Sequence, residues 1–154
     1  MAITFLFYKG KTSFADRFIA RWTRGPYSHC EVVLESYPDG SVLCASASLR
    51  DDGIRCKRMV LKPHHWDALV VPEHRGFSLE AIRAWFHRHE GRKYDVRGVF
   101  FFIGVIPHAE DRWFCSEAVG EACGIPEAWR FDPNRLHALL RLVGETCSVP
   151  GHMA

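Results

Sequence analysis

Apolar residues run at strand spacing through much of the first half of the chain and recur at helical spacing in four places. Residues 3–8 are β-branched and aromatic, which predicts a short strand. Phe14, Phe18, Ile19 and Trp22 follow at helical spacing, behind Thr12 and Ser13, either of which suits an N-cap. Gly25-Pro26 closes that helix. Residues 27–35 predict a second strand, Pro38-Asp39-Gly40 a turn, and residues 41–48 the return strand of an antiparallel hairpin. Asp51-Asp52-Gly53 forms a second turn, with further strands at 54–61 and 68–71. The first half therefore predicts a strand-rich meander.

The second half changes period. Ser78 is placed as an N-cap for a helix with Leu79, Ile82, Trp85 and Phe86 on one face, ending near Gly91. The run 98–107 is the longest apolar stretch and is too short to span a bilayer as a helix, which needs about 20 residues. Core packing is its simplest reading. A helix is expected over 113–122, with Gly124 as its C-cap, and a last one over 133–143. No repeat, linker or low-complexity tract divides the sequence, so 1–154 reads as one domain. The expected class is α+β: a small antiparallel sheet packed against helices.

Composition narrows the function classes. A formal net charge of +2 is too small to argue for nucleic acid or an acidic membrane surface as a partner, and no basic cluster interleaved with aromatics is expected, which sets nucleic acid aside. Met1 to Tyr8 lacks the basic start of a secretory signal, so the expectation is a cytoplasmic protein with free thiols, with release by lysis as the alternative route outward. The six cysteines show no C-x-x-C pair and the nine histidines are scattered, so neither a metal site nor any other cofactor is expected.

Two short segments carry candidate chemistry. In Phe114-Cys115-Ser116-Glu117 the cysteine falls in the first turn of a predicted helix, where free backbone N–H groups and the helix dipole favour a thiolate. In Tyr27-Ser28-His29-Cys30-Glu31 the histidine lies on a strand, positioned to pair with that thiolate and later protonate a leaving group. First-turn N–H groups, with Ser116 among them, and Tyr27 are candidate oxyanion or substrate contacts. Strand alternation sets Glu31 on the face of His29 and turns Cys30 away, so Glu31 is the first candidate to orient the histidine. Ser46 and Ser48 on the return strand are the alternatives. The plainer readings stay open: a buried inert Cys115, a backbone-bonded His29 and an exposed Glu31.

Three pieces of the sequence resemble the circularly permuted NlpC/P60 group of papain-like cysteine hydrolases, nearest its YiiX/YebB-like branch. Tyr27-Ser28-His29 heads a strand as the family histidine does. Gly91-Arg92-Lys93-Tyr94-Asp95 is similar to the stretch ahead of the family cysteine. Phe114-Cys115-Ser116-Glu117-Ala118-Val119 resembles the start of the cysteine helix. The resemblance implies a papain-like sheet or half-barrel and a Cys-His-polar triad of a peptidase or amidase type. It departs at Cys44-Ala45-Ser46-Ala47-Ser48, which lacks the histidine or acid that the family commonly places on the strand after the histidine. It implies hydrolysis of amides or esters through an acyl-enzyme, on cell-wall peptides or lipid-like substrates. The alternatives are thiol acyl transfer on lipids and a catalytically weak binding or structural module, for example in a phage particle.

Overall fold

The computed structural model describes residues 1–74, 77–95 and 113–147 of the chain. Within them the class is α+β. Six strands form one antiparallel sheet: β1 (Ala2–Tyr8), β2 (His29–Ser36), β3 (Ser41–Ser48), β4 (Gly53–Val60), β5 (Trp66–Pro72) and β6 (Glu145–Cys147). The described α-helices are α1 (Phe14–Trp22), α2 (Leu79–His89), α3 (Cys115–Ala122) and α4 (Pro133–Leu140). None of them is long and apolar enough to cross a membrane. The expected apolar run at 98–107 lies outside the described residues.

The strand order is β4-β3-β2-β1-β5-β6, which keeps the expected meander through β4 and departs from it at β5. The chain zigzags from β1 to β4, then returns to the free edge of β1, where Phe5 pairs with Leu69 and Ile3 with Val71. β1 thereby becomes interior and is buried on both faces. Ile3, Phe5 and Phe7 point into the helix-covered core, while Leu6 packs on the opposite side with Val33, Cys44, Trp66 and Ala68. Each such phenylalanine contributes about 2 kcal/mol of apolar burial. β6 was not foreseen; three residues are too few to show a period.

The helix starts follow from their caps. Ser13, not Thr12, caps α1: its hydroxyl accepts from Asp16 N–H at 3.1 Å, and the Asp16 carboxylate accepts from Ser13 N–H at 2.9 Å. Ser78 accepts from Ala81 N–H as expected. α3 begins at Cys115, two residues later than its pattern suggested, because Trp113 is held extended in a parallel bridge to Tyr94. Glu117 then reaches back to accept from Phe114 N–H at 3.4 Å. α4 ends at Leu140 rather than near 143, and the chain turns toward β5 through Gly144, where a Cβ would come within 2.8 Å of the Val70 carbonyl oxygen.

These contacts place α3 across β2 and β3, with Ala118 and Val119 fully buried in the core that also holds Val32 and Ala45. Its first residue is thereby brought to the His29 end of β2.

Candidate active site

Cys115 opens α3 and is 4% exposed. Cys30 and His29 lie near enough to its sulfur to govern the state of the thiol. Strand alternation turns Cys30 and His29 to opposite faces of β2. His29 is the first residue of the strand. The hydrogen bond from Cys30 is the main influence holding the Cys115 pKa well below the usual thiol range. The charge and hydrogen bond of His29 add to it and outweigh burial. Burial pushes the thiols of Cys30, Cys44, Cys56 and Cys123 the other way. Among the five cysteines whose side chains are described, Cys115 alone is held toward the thiolate.

Burial by itself would favour neutral His29. The facing Cys115 thiolate and then Glu31 overcome it and raise the imidazolium pKa to about 10. Both shifts favour a thiolate–imidazolium pair over the neutral partners. His29 Nε2 lies 3.2 Å from Glu31 Oε1. A carboxylate only accepts, so Nε2 donates, and Nδ1 is the nitrogen left to face Cys115.

Glu31 is 1% exposed and ionised. Burial opposes that charge, but Arg55 on β4 donates Nη1 to Oε2 at 2.8 Å and Nη2 to Oε1 at 2.7 Å. With His29 it pulls the carboxyl down to about 2. A bidentate guanidinium is the geometry that compensates a buried carboxylate best. Arg55 is in turn held by Asp51, Nε to Oδ2 at 3.0 Å. The polar track therefore runs Asp51, Arg55, Glu31, His29, Cys115.

The other sequence candidates fall elsewhere. Ser46 is fully buried and donates to the Cys30 carbonyl at 2.7 Å, not to His29. It pairs laterally with Arg55, and its small side chain leaves room for the guanidinium to cross β3. Ser48 lines the cavity beside His29 without bonding the ring. Tyr27 turns away: its hydroxyl donates to Asp67 at 2.9 Å and its ring packs on Phe7 and His137. The Ser116 side chain is fully buried and does not border the space beside His29 or Cys115. Trp113 packs on Trp85 and His89 and donates to Glu121 at 2.9 Å.

Sequence reasoning missed Arg55 as the anchor of Glu31, and it underrated Tyr94. Tyr94 fixes the chain ahead of α3 through the Trp113 bridge. It also borders both cavities at the site. One cavity, about 470 Å³, is bounded by His29, Glu31, Tyr94, Trp66, Phe18 and Met59. A second, about 20 Å³, reaches Cys115 and shares Phe18, Ile19, Ser28 and Tyr94 with the first. Among the described residues no group of three or more His, Cys, Asp or Glu is placed to hold a metal ion. Compared with models of known protein families and with curated proteins, the sequence matches none.

Proposed function

We propose that the chain is a cysteine hydrolase of the permuted papain-like kind, cleaving an amide or ester through an acyl-enzyme. The observation that carries this is the continuous relay from Arg55 through Glu31 and His29 to a cysteine at the first turn of a helix. The Cys115 thiolate attacks the substrate carbonyl carbon, and first-turn N–H groups, which lack intrahelical acceptors, donate to the resulting oxyanion. His29 gives its proton to the leaving amine or alcohol as the C–N or C–O bond breaks, forming a thioester. Neutral His29 then takes a proton from water, the resulting hydroxide attacks the thioester, and a carboxylic acid departs as Cys115 and His29 regain the ion pair. Glu31 holds the ring and stabilises its positive charge. The apolar lining beside His29, with Phe18, Ile19, Met59 and Trp66, supports an acyl group or peptide side chain of apolar character. The same lining supports the close variant in which a lipid hydroxyl or amine replaces water.

One observation favours a binding module instead: Cys115 is 4% exposed, and the cavity reaching it is small. Thiol labelling separates the two. With limiting iodoacetamide at about pH 6, mapped by mass spectrometry, Cys115 labels ahead of every other cysteine, and His29→Ala slows it by about tenfold or more. Labelling of Cys115 no faster than that of the other thiols refutes the nucleophile assignment.

A further inference from the structure

α1 presents an unusual outer surface. Phe14, Phe18 and Trp22 recur four residues apart and form a stripe along the helix. Phe14 is 80% exposed and Trp22 48%, and Phe18 stacks on Trp22 with ring centroids 6.1 Å apart. Large aromatics left in water cost free energy unless something covers them. The helix face beside the stripe is basic, a local cluster that corrects the sequence expectation and that the small net charge conceals: Arg17 and Arg21 are exposed, and Arg24 follows just beyond the helix end. Between Lys11 and Ser28 the chain carries four cations and one acid, Asp16. That acid is turned inward, capping Ser13 and accepting from Ser28. A groove of about 620 Å³ joins the two features, lined by Phe18 and Trp22 together with Arg21 and Arg24. The next turn of the same helix face, with Phe18 and Ile19, lines both cavities at the Cys115–His29 pair.

We infer that α1 is a docking helix for an anionic phospholipid surface. The aromatic stripe enters the interface, the guanidinium groups meet lipid phosphates, and the cavity mouth is set down against the bilayer. Aromatic rings favour the headgroup level, arginine binds phosphate in bidentate fashion, and a stripe flanked by arginines is the pattern of helices that lie in an interface plane. A protein partner would satisfy the aromatic stripe, but four cations against one inward-turned acid fit a surface of phosphates better. The inference stands apart from the proposed hydrolysis, because binding needs neither Cys115 nor His29.

Co-sedimentation of the full chain with vesicles tests it. The protein is expected to sediment with phosphatidylcholine–phosphatidylglycerol vesicles and to stay in solution with phosphatidylcholine alone. Because Phe14 and Trp22 are exposed, the double variant Phe14→Ser/Trp22→Ser folds, as circular dichroism checks, and binds at least about tenfold more weakly. Arg21→Gln/Arg24→Gln weakens binding and flattens its salt dependence. Cys115→Ser binds as the parent does. The inference is overturned by absent sedimentation, by equal binding to neutral vesicles, or by unchanged binding of the serine double variant. It is also overturned if the stripe is covered by a second copy, seen as a dimer in analytical ultracentrifugation that the serine variant dissolves.

Discussion

Arg55 reaches Glu31 across an intervening strand, donating to both carboxylate oxygens at 2.8 and 2.7 Å. Arg55 stands on β4 and Glu31 on β2, with the small Ser46 of β3 between them. The bond therefore ties three strands together and fixes the carboxylate that His29 leans on.

Arg55→Gln is expected to lower stability near neutral pH by about 3 kcal/mol, since it leaves a buried carboxylate without its guanidinium. The parent gains from Glu31 because the folded pKa, about 2, lies below the ordinary 4.5. That gain is fully present above pH 4.5 and is lost as the pH falls toward 2. Urea unfolding of both proteins along a pH series checks it: the gap narrows on acidification. A gap that stays constant to low pH contradicts the assignment. Arg55→Lys does not restore the parent, because an ammonium cannot bond both oxygens in that fork.

Glu117 behaves in the opposite sense. Burial at the start of α3 is the main cause that lifts its carboxyl to about 8. In the unfolded chain it ionises near 4.5, so it lowers stability progressively as the pH rises from 4.5 to 8. Glu117→Gln keeps an acceptor for the Phe114 N–H and removes that penalty. The variant is expected to match the parent at about pH 4 and to exceed it by on the order of 3 kcal/mol at about pH 8. Thermal or chemical unfolding at the two pH values measures this, and an equal effect at both would contradict it.

Gly53 is a third lever, remote from the thiol. Its φ is +145°, and a Cβ there would lie 2.0 Å from the Arg92 carbonyl oxygen. Next to it, Ile54 N–H donates to the same oxygen at 2.8 Å, and Lys93 and Asp95 then bond to Trp113 just before Cys115. Gly53→Ala is expected to cost about 2 kcal/mol or more in unfolding experiments. It is also expected to slow iodoacetamide labelling of Cys115 in the protein that remains folded. Loss of stability with labelling unchanged would show that the two segments are not coupled.

The parts of this arrangement that follow a local period were legible in the sequence. His29 and Glu31 share a face because a strand repeats every two residues, and β3 runs over the residues its turns enclose. Serines at 13 and 78 announced their helices for the same local reason. Lateral relationships were not legible. That β5 joins β1, that Arg55 spans β3 and that Tyr27 bonds Asp67 all depend on which segments lie side by side, and no spacing along the chain encodes that. Helix α3 started late for a related reason: the partner of Trp113 is Tyr94, in a segment well before it.

The seating of α3 on β2 and β3 has a consequence for how reactivity is controlled. The polar arm, His29 with Glu31 and Arg55, is joined by hydrogen bonds between residues of the sheet alone. The sulfur arrives on a separate piece that is held by packing of Ala118 and Val119 and by the close approach of Gly120 to Ala128. A small shift of the helix would move Cys115 away from His29 and return it toward an ordinary thiol. The rate at which this one cysteine reacts is thus a gauge of how firmly a helix is docked.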